Sequence, residues 1–274
     1  MIIRNLLGFF TAVLLAIPPA TASAQSTVSL SDVAEVALLP GWRTERGTHM
    51  AALQVSLAPG WKTYWRSPGD AGIPPAFDWQ GSRNLTSVGF HWPTPKIFEL
   101  NGMLTLAYEG TVIIPIEITP RQGSGGVIGL RGRMDFGVCE EICIPMSVRI
   151  QADLLNGGQP DPQIQRALAA QPKPARVAGI GSVTCKISAI SDGLQLTATI
   201  VLDHQGGTEI TVVELADQSI WISEATTKRQ GRRISSVVEM VPPNGKPFAL
   251  ARSELRFTVI GGSGAVDIRG CNAG

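Results

Sequence analysis

Apolar and polar positions alternate with period two in many short runs along this chain. Leu53, Val55 and Leu57 alternate with Gln54 and Ser56. Val112, Ile114, Ile116 and Ile118 alternate with polar positions that include Glu117 and Thr119. Ile128, Leu130, Met134 and Phe136 share one phase, with Arg131, Arg133 and Asp135 on the other. Val148, Ile150, Ala152 and Leu154 oppose Arg149, Gln151 and Asp153. Each run predicts a strand with one buried face. Turn signals separate them: Pro59-Gly60, Pro68-Gly69-Asp70, Pro74-Pro75, Asn101-Gly102 and Gly123-Ser124-Gly125-Gly126. Many short strands between such turns predict an all-β chain built as a β-sandwich.

Residues 156–182 break the rhythm with Gly157-Gly158, Pro160, Pro162, Pro172, Pro174 and Gly179. Within them, residues 161–171 predict one short helix, with Asp161 as N-cap and Pro162 at the first position. The stretch reads as an interdomain linker; the other reading is a long surface loop of one domain, which compact folds seldom carry. Alternation then resumes. Leu194, Leu196, Ala198, Ile200 and Leu202 form one face, followed by Ile220 and Ile222, then Ile234, Ser236, Val238 and Met240. Leu255, Phe257 and Val259 precede a last strand near Val266 and Ile268. The expected organisation is two immunoglobulin-like sandwiches, residues 25–155 and 183–274, joined by a Pro/Gly-rich linker with a short helix.

The N-terminus changes the setting. Arg4 is followed by an apolar run over residues 6–17, too short to span a bilayer comfortably, and then by the small-x-small pattern Ala22-Ser23-Ala24. Residues 1–24 therefore read as a cleaved secretory signal peptide, and no later stretch in the mature chain is long and apolar enough for a membrane helix. Removing Arg4 from the 23 basic residues leaves a formal balance with the 22 acidic ones. No basic run interleaved with aromatics exists, so nucleic acid is not expected as a partner.

An exported chain meets an oxidising space, where most cysteine pairs are staples. The four cysteines allow three pairings. The favoured one joins Cys139 to Cys143 and Cys185 to Cys271. The second bridge lies near the two ends of the C-terminal unit and closes a long loop, where chain entropy predicts roughly 4–5 kcal/mol of stabilisation. Against it, Cys271 falls on the polar phase of its strand with Asp267 and Arg269. The first pair differs. Extended backbone would separate residues four apart by about 13 Å, beyond disulfide reach, so the chain must turn between them as a helical turn or a tight hairpin. So small a loop yields little entropic stabilisation, and a weak bridge is a better exchange site than a staple. Pro145 cannot donate to a sheet ladder, which predicts an edge or a bulge accessible to a partner. Glu140 and Glu141 between the thiols disfavour a thiolate, which suits exchange with a dedicated partner more than broad reactivity. The bland reading, a small buried staple, stays open on this chemistry alone.

The surroundings of the pair carry a resemblance. Trp61-Lys62-Thr63-Tyr64-Trp65-Arg66-Ser67-Pro68-Gly69-Asp70-Ala71-Gly72-Ile73-Pro74-Pro75, Phe77-Asp78-Trp79, Trp92-Pro93-Thr94-Pro95, Tyr108-Glu109-Gly110, Ile114-Pro115 and Gly137-Val138-Cys139 to Cys143-Ile144-Pro145 resemble the N-terminal periplasmic domain of the DsbD family of thiol:disulfide interchange proteins. The closer likeness is to its ScsB-like branch, well over residues 30–155 and loosely beyond. The resemblance implies an immunoglobulin-like domain in which Cys139 and Cys143 cycle between dithiol and disulfide. It implies periplasmic thioredoxin-like oxidoreductases as partners, among them disulfide isomerases and cytochrome-maturation factors, with Cys143 forming the mixed disulfide. It also implies a cap loop whose aromatic side chain shields the pair. Phe98, with Glu99 beside it, is the candidate; a core aromatic is the other reading of Phe98. Full-length members add a membrane domain and a thioredoxin-like domain, which this sequence lacks, so either a separate membrane-embedded electron donor reduces it, the reading favoured here, or its function has drifted.

Two further readings use the same residues. A Cys-x3-Cys pair can hold Cu(I), with a thioether from Met103, Met134 or Met146, which would make a copper-tolerance module. His49, His91 and His204 have no ligand-like spacing to the pair, and neither a metal nor another cofactor is expected. The last reading is a scaffold in which both bridges are structural. Trp61 and Trp65 share a strand face that packs a core, and Asp70 reads as a turn residue.

Overall fold

The computed structural model describes residues 30–69, 72–100, 103–121 and 126–274. The predicted signal peptide and Asp70 lie outside the described residues. The protein is all-β apart from short helices. A single turn, α1 (Leu30–Val33), leads into ten strands: β1 (Ala34–Arg43), β2 (His49–Leu57), β3 (Lys62–Gly69), β4 (Ala76–Asp78), β5 (Ser87–Phe90), β6 (Lys96–Leu100), β7 (Met103–Glu109), β8 (Thr111–Thr119), β9 (Ile128–Cys139) and β10 (Cys143–Leu154). They form two sheets. One has the order β1-β2-β8-β5; the other has the order β10-β9-β3-β7-β6, with β4 added beside β9.

The period-two pattern closes these sheets face to face. Leu53 and Val55 of β2 and Ile114, Ile116 and Ile118 of β8 meet Trp65, Leu106, Ile128, Leu130, Met134, Phe136 and Val138 of the other sheet. Each is less than a tenth exposed, while alternate residues such as Arg133 and Arg149 face water. Strand β2 is buried on its outer face as well. Met50 and Ala52 pack there against Ile164 of α2 (Pro162–Ala169). Asp161 caps that helix, its Oδ1 accepting from the Gln163 and Ile164 amides at 2.7 and 3.2 Å.

The Pro/Gly-rich stretch is thus tied down along its length. The Arg43 amide donates to Gly157 O and the Thr94 amide to Ala170 O. β11 (Lys173–Pro174) then joins the second half of the chain by pairing in parallel with Val266–Asp267.

The second half adds β12 (Val183–Ala189), β13 (Leu194–Val201), β14 (Ile210–Glu214), β15 (Trp221–Ile222), β16 (Thr226–Gln230), β17 (Arg233–Val241), β18 (Arg256–Gly261), β19 (Gly264–Arg269) and β20 (Asn272–Ala273). Its sheets run β11-β19-β18-β14 and β15-β17-β13-β12-β20, with β16 beside β17. Leu196, Ala198, Ile200, Val238, Phe257 and Val259 fill the space between them. Cys185, fully buried on β12, is bonded to Cys271 across 86 residues. The phase problem at Cys271 has a local answer. Gly270 has φ +69°, a left-handed turn that ends the alternation of β19 and sends the chain back beside β12, where β20 pairs with Thr184 and Cys185.

The two halves share a contact surface. Ile260 and Ala265 belong to the same buried cluster as Leu106 and Phe136, with Ile210 and Val212 packed against it. Beside this contact runs a groove of about 1020 Å³ whose walls include Phe77, Trp79, Phe90, Trp92 and Trp221. Among the described residues no helix is long and apolar enough to cross a membrane.

Two changes test this architecture. Ile164→Ala empties the contact that docks α2 and is expected to lower unfolding stability by about 2–5 kcal/mol in urea melts. Cys271→Ser opens the long loop and is expected to cost about 2–5 kcal/mol in the same measurement.

Candidate redox site

β9 ends on Cys139 and β10 begins on Cys143, and the antiparallel register sets the two directly opposite each other. The turn is a tight hairpin whose loop is Glu140-Glu141-Ile142, closed by the Glu140 amide donating to Ile142 O. The sulfurs are bonded, with the Cα atoms 4.1 Å apart. β10 is the edge strand of its sheet. Pro145, opposite Gly137, sits where the absence of an amide hydrogen does least harm.

The two cysteines differ in environment. Val138 points into the sandwich, so Cys139 points to the outer face of the sheet. It is still only 7% exposed, because Tyr64, Ala107 and Phe98 enclose it. Cys143 is exposed, and Ile142 beside it is 70% exposed. One cysteine is therefore exposed at the hairpin tip, and the other is enclosed behind it.

Tyr64 is the site residue that sequence reasoning missed. Its hydroxyl donates to Cys143 Sγ at 3.4 Å. Burial pushes the phenol pKa above its ordinary value, so the group keeps its proton at neutral pH and acts as a donor. The signal was present: alternation along β3 puts Lys62 and Tyr64 on one face and Thr63 and Trp65 on the other. Trp65 is fully buried and Trp61 packs against the same core, in keeping with the core reading of both. The Thr63 hydroxyl donates to Gly137 O at 2.9 Å and helps to hold β3 against β9. Gly72 lies flat against the tyrosine. A Cβ there would stand 2.6 Å from Tyr64 Cδ1 and 2.3 Å from Pro68 Cβ, a close approach that only glycine allows.

Phe98 on β6 is half-buried and packs against the Tyr64–Ala107–Cys139 cluster. Glu99 follows it on the strand and so points to the opposite side, exposed. The site thus brings Phe98 to the pair and turns Glu99 away. Lys62 lies opposite Cys139 in the ladder and holds its Nζ 5.1 Å from the Phe98 ring centre. Lys96 hydrogen-bonds Glu109, and this contact, the Lys96 charge and a smaller effect of Lys62 hold the Glu109 carboxyl below its ordinary pKa.

The other candidates are elsewhere. Met134 and Met146 are buried in the sandwich core, on the face away from the cysteines, and Met103 stands 42% exposed next to Leu104. His49 is bonded to Pro40 O, His91 lies between Glu117 and Gln171, and His204 neighbours Glu209. Among the described residues no group of three or more His, Cys, Asp or Glu is arranged to hold a metal. Cys185 and Cys271 belong to the second core.

The Tyr64 hydroxyl should also stabilise the Cys143 thiolate once the bridge is reduced, since a hydrogen bond to a charged sulfur is stronger than one to a neutral group. In a Cys139→Ser protein, Tyr64→Phe is expected to slow alkylation of Cys143 by iodoacetamide about five- to tenfold at neutral pH. An unchanged or faster rate would leave Tyr64 as packing alone.

Comparison with known proteins places this geometry. The family model described as "Thiol:disulfide interchange protein DsbD, N-terminal" matches residues 35–155. No curated protein matched the chain. Among solved structures, the N-terminal periplasmic domain of ScsB from Proteus mirabilis is similar, with 25% sequence identity and a TM-score of 0.64. The match covers 89% of this chain and 95% of that one, so the likeness extends over both halves. The ten-stranded sandwich that carries Cys139 and Cys143 is a member of the DsbD N-terminal domain family.

Proposed function

We propose that this chain performs thiol–disulfide exchange in the periplasm through Cys139 and Cys143, passing reducing equivalents to thioredoxin-like oxidoreductases. The observation that carries this reading is a bond that closes only a three-residue hairpin at a sheet edge and joins an exposed cysteine to an enclosed one. A structural bridge gains from burying both atoms. An exchange site needs one sulfur within a partner's reach and the other protected.

The steps follow from that asymmetry. In the dithiol form the Cys143 thiolate attacks one sulfur of the partner's disulfide. A bond forms between Cys143 and that sulfur, and the partner's other sulfur leaves as a thiolate that takes up a proton. Cys139 loses its proton and attacks Cys143 Sγ. The Cys139–Cys143 bond forms, the mixed disulfide breaks, and the partner departs as a dithiol. Two electrons have moved from this pair to the partner. An external dithiol attacking Cys143 Sγ recharges the pair by the same steps in reverse, and a separate membrane-embedded protein is the proposed source of those electrons. Residues 1–24 would direct export and be removed.

Within this reading Tyr64 donates to the reacting sulfur, and Phe98 shields Cys139 from small oxidants until a partner displaces it. Cys185–Cys271 is the structural bridge in this reading: Cys185 is fully buried, Cys271 packs against the second core, and the bond closes an 86-residue loop. Residues 183–274 form a second sandwich without redox chemistry of its own.

Two measurements test the proposal. The Cys139–Cys143 midpoint in thiol–disulfide buffers, read by alkylation and peptide mass, is expected between roughly −180 and −270 mV with Cys185–Cys271 still oxidised. A midpoint below about −300 mV, or thiols released only on unfolding, would sink the exchange reading. The second uses a thioredoxin-like protein whose resolving cysteine is replaced and whose remaining thiol is activated with thionitrobenzoate. Cys139→Ser should accumulate a mixed disulfide with it through Cys143, and Cys143→Ser should not.

A further inference from the structure

We infer that the C-terminal half governs the reactivity of the pair, with Arg66 and Glu214 as positioning residues that hold the Tyr64 hydroxyl on Cys143. This rests on the reading of Cys143 as the reacting sulfur.

The argument begins with the ladder around β3. On one side, Lys62 and Thr63 pair with Cys139 and Val138 of β9. On the other, Lys62, Thr63 and Tyr64 pair with Glu109, Tyr108 and Ala107 of β7. The register then slips, and the next pairing with β7 is Gly69 with Thr105. From Trp65 to Pro68 the strand has no ladder partner on either side. Tyr64 is the last residue held by the sheet before the bulge, and the path of the bulge after it decides where its ring lies. A bulge of this kind re-aims side chains.

Two contacts secure the bulge. Trp65 is fully buried in the sandwich core. Arg66 leaves the sandwich and reaches the other half of the chain. Its Nε and one terminal nitrogen donate to the two Glu214 carboxylate oxygens at 2.9 Å each, and the same terminal nitrogen donates to Thr258 Oγ1 at 3.2 Å. The guanidinium lies 3.8 Å from the centre of a Trp65 ring. Glu214 is on β14 and Thr258 on β18. Arg256 lies 3.9 Å from Glu214 and is itself paired with Asp267 of β19. Two strands of the second half, β14 and β18, thus converge on one side chain of β3, with Asp267 of β19 behind them on Arg256. Pro68, at the far end of the bulge, and Tyr64 both meet Gly72, so bulge and ring share a wall.

Adhesion between the halves does not explain this clasp. Ile210, Val212, Ile260 and Ala265 already bury apolar surface against the first core. The side chains of Arg66 and Glu214 are only 13% and 19% exposed, and an ion pair so buried costs much of its attraction in desolvation. What a bidentate Arg–carboxylate pair adds is direction. Here it fixes a segment that the ladder leaves free, two residues from the hydroxyl that touches Cys143.

A double-mutant cycle on the alkylation rate of Cys143 by iodoacetamide, in the full chain with Cys139→Ser, tests the inference. Glu214→Gln keeps the shape and removes the charge; Thr258→Val is the milder second variant; circular dichroism and the melting midpoint report folding. Glu214→Gln is expected to slow alkylation about three- to tenfold, and Thr258→Val less. In a Tyr64→Phe background neither should slow it further, because both act through the hydroxyl. A rate unchanged by Glu214→Gln in a folded protein would overturn the inference. So would an equal fold-change on top of Tyr64→Phe, which would mark the clasp as acting by another route. Alkylation needs no protein partner, so a pair that fails to exchange with thioredoxin-like proteins but shows this coupling would overturn the proposed function alone.

Discussion

The register of the β9–β10 hairpin is the constraint on which the site depends. It sets Cys139 opposite Cys143 across a three-residue loop, and every later property follows from that placement. Side chains alternate along a strand, so Val138 belongs to the core and Cys139 to the outer face. A slip of one residue would bury the wrong sulfur and break the bond. The register is held by what lies behind it. Phe136, Val138, Met146 and Ile150 all enter the sandwich core, and none can leave it without losing the burial that holds the sheets together.

The site gains its asymmetry from position in the sheet. Cys139 ends an interior strand and has β3 beside it, so neighbouring strands supply the cover of Tyr64, Ala107 and Phe98. Cys143 begins an edge strand and has one neighbour. The same bond therefore joins an enclosed cysteine to an exposed one without any special loop. The edge that would otherwise invite unwanted pairing carries Pro145 and the exposed charges of Arg149 and Asp153.

The described residues that follow this sandwich are tightly bound to it. α2 covers the outer face of β2, β11 leads straight into a sheet of the second half, and the Arg66–Glu214 pair joins β3 to β14. A stretch rich in proline and glycine can look like a tether in sequence and still be fastened at each end. Its prolines limit the paths that the chain can take, and Asp161, Ile164 and Ala170 secure the one adopted.

What the sequence determined by itself was everything periodic or local. Alternation marked the strands of both halves, Asp161 and Pro162 marked the start of the helix, and four-residue spacing forced a turn between Cys139 and Cys143. These are short-range steric and burial rules, and they act before distant parts of the chain meet. The tertiary structure decided what depends on which strands become neighbours. It brought Tyr64 to Cys143 from 79 residues away and Phe98 to the cluster around Cys139, turned Glu99 aside, and carried Arg66 across to Glu214 over 148 residues. In the sequence Tyr64 and Arg66 stood only as members of the stretch that carries the family resemblance, with no role of their own. Strand order, and not any property of the residues alone, sets which polar atom meets which sulfur or carboxylate.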